Sequence, residues 1–398
     1  MVDVQRDRRV LVSFAGGVGH LNPMLPIARV LRNLGHRVGV SGQANIVDRI
    51  GWLDANFPVG ISGSAPAGDS TGRLVKPDLD HEFSVVGTHF AGALAARRLG
   101  HVRGVIDHWE PDLVMCDEMD FGAMLAAEQA RVPRVVVNVI ASGALTHMER
   151  IREPLARLRA VHGLRGDPAG TELTRDLVVS PFPMSFRHPD FPLPRTALSI
   201  RPESDPATSR HAAVDWFAAG DESRRVYLTL GTVFNTESGD LFPRVLEGLR
   251  TLPVRVLATV GRNIDPASIP VTADNIRIEQ FIPQSAVLQH CDLVVNHGGS
   301  GSVIGALAHG VPVIALPMGA DQELNAQRLT ALDAGVALDP ISVSSDELRE
   351  AVRTGLDSDP LRAGAQRLGD EIAELPWTAS IACDLENLMG PEIRSRLA

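Results

Sequence analysis

The stretch Val294–Ala326, VVNHGGSGSVIGALAHGVPVIALPMGADQELNA, decides how the chain is read. An apolar, β-branched run breaks at a histidine and two glycines and gives way to a helical segment, expected over Ser302–His309. A second apolar run, VPVIALP, follows, and the helix Gln322–Ala334 opens at an Asp-Gln pair. Strand, glycine turn, helix, strand, helix is the pattern of a parallel sheet covered on both faces.

Working outward, the pattern recurs on both sides. RRVYLTLGT (Arg224–Thr232) is a strand running into a glycine turn, followed by a helix over Leu241–Thr251 and the strands VRVLATVG and IRIEQFIP. The first half repeats the scheme with RRVLVSF (Arg8–Phe14), a helix over Pro23–Leu34, then RVGVSG, PDLVMCD, the helix FGAMLAAEQAR and VPRVVVNV. Pro194–Ala213, rich in Pro, Ser and charge, is expected to be a linker. Gly60–Asp80 has a loop-like composition, and Thr146–Gly170 is an arginine-rich helical stretch followed by a loop; each is either a recognition loop or a solvated connection. The expectation is α/β, with two Rossmann-like, doubly wound domains facing each other across a cleft.

Composition narrows the function. At 398 residues there is chain enough for two or three cores, and a net charge of −10 argues against partners that select a basic face, nucleic acid and anionic membranes. No segment reaches the ~20 apolar residues of a membrane span. The start MVDVQRDRRVLVSFAGG has too short an apolar core for a signal peptide. Cys116, Cys291 and Cys383 are scattered and odd in number, which fits reduced thiols in a cytoplasmic protein and supplies no zinc spacing.

The turns carry the chemistry. In NHGGSGSVIGAL the backbone N–H groups and the positive end of a helix favour an anion such as phosphate, with Ser302 as cap, Gly301 and Ser302 offering N–H groups and His297 a further donor. A glycine turn required for backbone reasons alone is the competing reading. No Gly-Lys-Ser/Thr follows, so this is not a Walker loop, and Ser302 stands where a nucleophile elbow needs glycine. In FAGGVGHLNP (Phe14–Pro23), Gly17 and Gly19 begin a dinucleotide fingerprint, but Asn22 occupies its third position and no acid ends the second strand. His20 stands there instead, at the sheet edge where ligands bind, as a base or as a backbone-satisfied helix-entry residue. Asp117, at the end of its own strand, would fix the tautomer of such a base and stabilise its protonated form. Glu118 and Asp120 could do the same, or could merely be solvated residues at a helix start. Asp78-Leu79-Asp80 mimics a metal-binding D-x-D but lies in a proline-flanked loop, where it is taken as chance.

With these residues in view, the chain resembles the inverting nucleotide-sugar glycosyltransferases of the two-Rossmann-domain (GT-B) fold, and most closely the bacterial enzymes that glycosylate natural products. The two-half plan fits along the whole chain, and specific motifs cover the first turn and Glu279–Gln327. GHLNP looks like the entry motif, which implies His20 as catalytic base, and CDEMDFGA is similar to the segment carrying its aspartate partner, here Asp117. The run from Gln280 to Leu329 looks like the donor motif. It implies a diphosphate held by His297 and the turn Gly299, Ser300, Gly301 and Ser302, the last two by backbone. It also implies a base against Phe281 and the backbone of Ile282, sugar hydroxyls on Asp321 and Gln322, and a phosphate contact from Thr232. Plant members carry a tryptophan just after the motif histidine; the small residues of HGGSGS in its place point from UDP-glucose toward a dTDP-activated deoxysugar. The resemblance further implies a metal-independent transferase with no cofactor beyond a dTDP- or UDP-sugar co-substrate. Apolar residues and the loops of the first half point to a hydrophobic small-molecule acceptor, and a homodimer is left open. The resemblance sets an acceptor domain at 1–205, a donor domain at 206–378 and a final helix, 379–398, crossing back to the first domain. A nucleotide-sugar epimerase of the same fold and a non-catalytic auxiliary homologue are the rival readings.

Overall fold

The run at the start of the chain forms β1 (Arg9–Ser13), whose residues Val10 to Ser13 are fully buried, as expected of a strand covered on both faces. The computed structural model describes residues 7–60, 74–203, 211–220, 223–231, 238–271 and 273–390. Around β1 lie β2 (Arg37–Gln43), β3 (Ala55–Val59), β4 (Leu113–Asp117), β5 (Arg134–Val137), β6 (Leu177–Ser180) and β7 (Ala197–Ser199), in the order β3-β2-β1-β4-β5-β6-β7. A second sheet holds β8 (Arg224–Thr229), β9 (Val254–Thr259), β10 (Ile276–Glu279), β11 (Leu293–Asn296), β12 (Val313–Ala315) and β13 (Gly335–Ala337), in the order β10-β9-β8-β11-β12-β13. Every pairing in both sheets is parallel. These are two Rossmann-like domains.

Alternate residues of the first sheet feed two apolar layers. Leu11, Val114 and Val136 pack with Leu99 and Val102 on one face, while Val10, Val12, Met115 and Val135 meet Ile27 and Leu31 on the other. Ile381, Leu385 and Met389, from the end of the chain, lie in that second layer, whereas Leu368 and Ile372 just before them belong to the core of the second domain. The chain therefore crosses back after the helix Asp359–Glu374.

Each sheet reverses its direction of growth beside its first strand, between β1 and β4 and between β8 and β11. At such a switch point the flanking connections leave to opposite faces and a crevice opens at the C-terminal strand edge. The residues that follow these four strands are the ones the sequence singled out.

Several local expectations need correction. Part of the expected linker Pro194–Ala213 is structured: Ala197–Ser199 is β7, Ile200 is buried, and a helix opens at Ala212. Residues 61–73 and 204–210 lie outside the described residues. The helix after β11 runs Ser300–Leu307, two residues earlier than expected, because Gly298 adopts φ 84° and tightens the turn. The helical segment after β1 likewise starts early, with a single turn at Val18–Leu21 that carries His20. Asp78 caps the helix Leu79–Val85 and Asp80 pairs with Arg150, an ordinary structural use of the D-x-D.

Candidate active site

Ser13 at the end of β1 pairs with Cys116 on β4, which sets Asp117 beside the turn that follows β1. Asp117 is fully buried, and two backbone groups hold its carboxylate: Oδ2 accepts the Ala15 N–H (2.7 Å) and Oδ1 the Met119 N–H (2.7 Å). His20 Nδ1 lies 3.1 Å from the same Oδ1. A carboxylate can only accept, so Nδ1 carries the hydrogen and Nε2 keeps a lone pair. The imidazole lies over Gly16, where any Cβ would collide with Nε2, and Phe90 stacks on it with ring centroids 6.0 Å apart. Burial pushes the His20 pKa down, but the charge and hydrogen bond of Asp117, joined by the charges of Asp321 and Glu118, outweigh it and leave the group above its ordinary value. The side chain stays about one-fifth exposed, with 21% of its surface open to a ligand.

The other two acids do different work. Glu118 accepts the N–H groups of Val139 and Ile140 (both 2.7 Å) and the Asn138 amide, fixing the loop after β5. Asp120 is not solvated: it is 1% exposed, pairs with buried Arg98 (2.7 Å), accepts from Ser13 and caps the helix Phe121–Ala130. The competition among the three carboxylates for His20 is decided for Asp117.

At the second switch point β11 ends at buried Asn296, whose side chain accepts the Gly298 N–H (2.8 Å). His297 follows, sandwiched between Gly231 and Gly299. A Cβ at Gly231 would stand 2.6 Å from the imidazole, and one at Gly299 would also collide with it. Both glycines are required by this packing. Burial pushes the His297 pKa down to about 4, so the imidazole is neutral near pH 7. The helix N-cap is Gly299, with no side-chain cap, so Ser302 is not the cap; its N–H donates to the Gly299 carbonyl (3.0 Å) and its hydroxyl takes the Gln284 amide (3.1 Å). The first-turn N–H groups, which lack intrahelical partners, are those of Ser300 and Gly301.

Phe281 is 39% exposed with the Arg262 guanidinium 3.7 Å over its ring, whereas Ile282 is 2% exposed and belongs to the core of the second domain. Asp321 is 8% exposed, and its Oδ2 takes both the Ser300 hydroxyl and the Asn325 amide. Gln322 is nearly buried, and its Oε1 accepts the Met318 N–H (2.7 Å). Thr232 lies outside the described residues. The two switch points face one another: Asp321 acts on the charge of His20, and the Ala141 N–H of the first domain donates to Ser300 Oγ (2.7 Å) in the second.

Phe90, Arg262 and Asn325 escaped the sequence reading. Asn325 had a signal, since it stands four residues after Asp321 and therefore on the same helix face. Phe90 had none of that kind, because Val86–Leu94 winds as a π-helix and departs from the ordinary helical period.

Comparison with known proteins bears on the whole arrangement. Residues 80–231 match the N-terminal domain, and residues 244–388 the C-terminal domain, of the erythromycin biosynthesis protein CIII-like family. The chain is similar to the L-demethylnoviosyl transferase of Streptomyces niveus, with 31% identity over 94% of this chain and 96% of that protein. It is also similar to the aclacinomycin-T 2-deoxy-L-fucose transferase of Streptomyces galilaeus, with 26% identity over 98% of each. The crystal structure of the glycosyltransferase SnogD from Streptomyces nogalater superposes with a TM-score of 0.74 at 25% identity, covering 97% of this chain and 100% of that one. The chain belongs to the erythromycin biosynthesis protein CIII-like family and is a glycosyltransferase of the two-Rossmann-domain, GT-B type.

Proposed function

We propose that this transferase moves a deoxysugar from a dTDP donor to a hydroxyl of a hydrophobic natural-product aglycone, with inversion at the anomeric carbon and without a metal. The observation that carries the reading is the pair of facing switch points, one bearing the His20–Asp117 dyad and the other a glycine-lined turn at a helix start.

In this reading His20 Nε2 takes the acceptor hydroxyl proton while Asp117 stabilises the imidazolium. The oxygen bonds to the anomeric carbon as the bond from that carbon to the diphosphate oxygen breaks on the opposite side. The departing diphosphate gains charge where the first-turn N–H groups and His297 converge, and fixed dipoles of this sort stabilise such charge. Asp321 and Gln322 hold the sugar, and Phe281 with Arg262 forms a platform for the base. The ring cluster of Phe83, His147 and Phe191, with centroids 4.2 and 4.9 Å apart, supports an apolar acceptor in the first domain. The 2-deoxy-L-fucose named for one relative supports a deoxysugar. A cytoplasmic setting is supported by Cys116, Cys291 and Cys383, all free thiols. Relatives named as transferases do not favour the epimerase or auxiliary readings.

Melting temperature in chelator-treated buffer with dTDP, UDP or NAD tests the donor assignment. A nucleotide at ~100 times its dissociation constant adds ~2.7 kcal/mol. Stabilisation by dTDP above UDP, lost in His297→Ala, is the expected outcome. A shift with NAD alone, or with none of the three, contradicts it.

A further inference from the structure

Asn325 is fully buried and joins Gly298 and Ser300 of the donor turn to Asp321. Its amide Nδ2 donates to Asp321 Oδ2 (2.7 Å), to the Gly298 carbonyl (2.9 Å) and to Ser300 Oγ (3.1 Å). Its Oδ1 accepts the Ser142 N–H (3.3 Å) from the loop after β5, in the other domain. These neighbours allow one orientation of the amide: turned over, Nδ2 would face the Ser142 N–H and Oδ1 would face a carbonyl and a carboxylate. Ser300 repeats the link, with its hydroxyl on Asp321 and its oxygen taking the Ala141 N–H. The loop that receives both links is the one Glu118 fixes from the side of the catalytic base.

We propose that Asn325 is a positioning residue for the donor sugar: it fixes one oxygen of Asp321 so that the other faces the sugar, and it ties that orientation to the seating of the acceptor domain at Ser142. The inference rests on the donor reading above, in which Asp321 binds sugar hydroxyls. A core amide serving only stability would be equally content with partners far from the sugar. Here the shortest bond goes to the carboxylate assigned to the sugar, and the opposite end of the same group crosses the domain boundary.

Titration gives a readout that a purely structural role would not move. Burial pushes the Asp321 pKa up, while the Ser300 and Asn325 hydrogen bonds and the charge of His20, which faces it from the other domain, pull it down. Asn325→Asp keeps an oxygen for the Ser142 N–H, removes the donations to Asp321 and sets a second carboxylate against it. The sugar's share of binding, read as the ratio of the dissociation constants of dTDP and dTDP-glucose, should fall about tenfold or more, as expected when a hydrogen bond to a charged group is lost. The acidic limb of that ratio should move to higher pH, with dTDP itself bound within about threefold of wild type. Ser300→Ala should move the ratio and the limb the same way by a smaller factor, and it serves as the reading if Asn325→Asp does not fold. An unchanged ratio and limb in a folded variant overturns the positioning role, as does equal weakening of dTDP and dTDP-glucose. Failure of wild type to bind dTDP or UDP instead overturns the donor reading itself, and this inference with it.

Discussion

Asp117→Asn keeps the shape of the side chain beside His20 but exchanges an accepting oxygen for a donating amide. Both oxygens are in use, Oδ2 for the Ala15 N–H and Oδ1 for the Met119 N–H and His20 Nδ1. Whichever way the new amide turns, its NH2 meets a donor. A buried N–H is left unpaired, at a cost of about 1–3 kcal/mol that does not depend on pH near neutrality. A second cost follows His20. With Asp117 neutral, burial is opposed only by Asp321 and Glu118, and the His20 pKa drops. In wild type the raised pKa is a stabilising term, worth about 1.4 kcal/mol per unit. That term is fully present below the unfolded pKa, where folded and unfolded chains both carry the proton, and it disappears as pH rises through the folded value. The stability gap between wild type and variant should therefore be widest in acid and shrink to the pH-independent part in alkali. Urea unfolding across pH measures the gap, and an NMR titration of the His20 ring, assigned by loss of its signal in His20→Gln, reads the pKa without any substrate. Turnover should fall by about 10²–10⁴-fold, the usual worth of general base catalysis. An unchanged His20 titration in a folded Asp117→Asn protein, or a gap that widens toward alkaline pH, would refute the coupling.

Gly16→Ala puts a methyl group onto His20 Nε2 and must displace the imidazole. A misplacement of about 1 Å costs about 10²-fold in turnover, while the dTDP-induced melting shift should be unchanged; normal turnover would contradict the geometry. His297, with its pKa near 4 in the free protein, makes the native state bind fewer protons than the unfolded chain between that value and its ordinary one. Stability should therefore rise with pH across this window, and His297→Ala should flatten the slope, as urea midpoints will show. Adding dTDP should raise the His297 pKa by NMR, and an unmoved signal would count against a phosphate contact. Phe90→Ala removes the ring stacked on His20, a pair typically worth ~0.5–1.5 kcal/mol, so turnover should fall about 2- to 12-fold. Phe90→Tyr should restore most of it, and equal rates in all three proteins would deny Phe90 a positioning role.

What the sequence disclosed follows from how strongly each feature constrains it. The inner strands β1, β4, β8 and β11 are buried on both faces, so they read as apolar runs, and the turns after them carry the histidines and glycines. Four strands were missed, among them β13, which has only three residues, Gly335–Ala337, just after a helix. β3 contains Pro58, which an edge strand tolerates but which reads as a break, and β7 has three half-buried residues inside a Pro- and Ser-rich stretch. β6, only four residues long, follows a long irregular connection. The glycines after β11 signalled an anion site, but not which N–H groups remain for it, because the positive φ at Gly298 moved the helix start from Ser302 to Ser300. Asp117 could not be separated from Glu118 and Asp120 by order in the chain. The choice among them depends on what each carboxylate meets in the fold: the Ala15 N–H for Asp117, the Val139 and Ile140 N–H groups for Glu118, and Ser13 with Arg98 for Asp120.

The central claim is that His20 activates an acceptor hydroxyl against a nucleotide-bound sugar. Its most direct test follows carbon-13 at the anomeric position of a dTDP-deoxysugar, dTDP-rhamnose, by NMR, in chelator, with a panel of hydrophobic alcohols and phenols as acceptors. The account predicts acceptor-dependent release of dTDP and a glycoside of inverted configuration from wild type. It predicts almost no glycoside from His20→Ala, although that variant is still stabilised by dTDP. Retained configuration, loss of dTDP without any acceptor, or near-normal transfer by His20→Ala would contradict it.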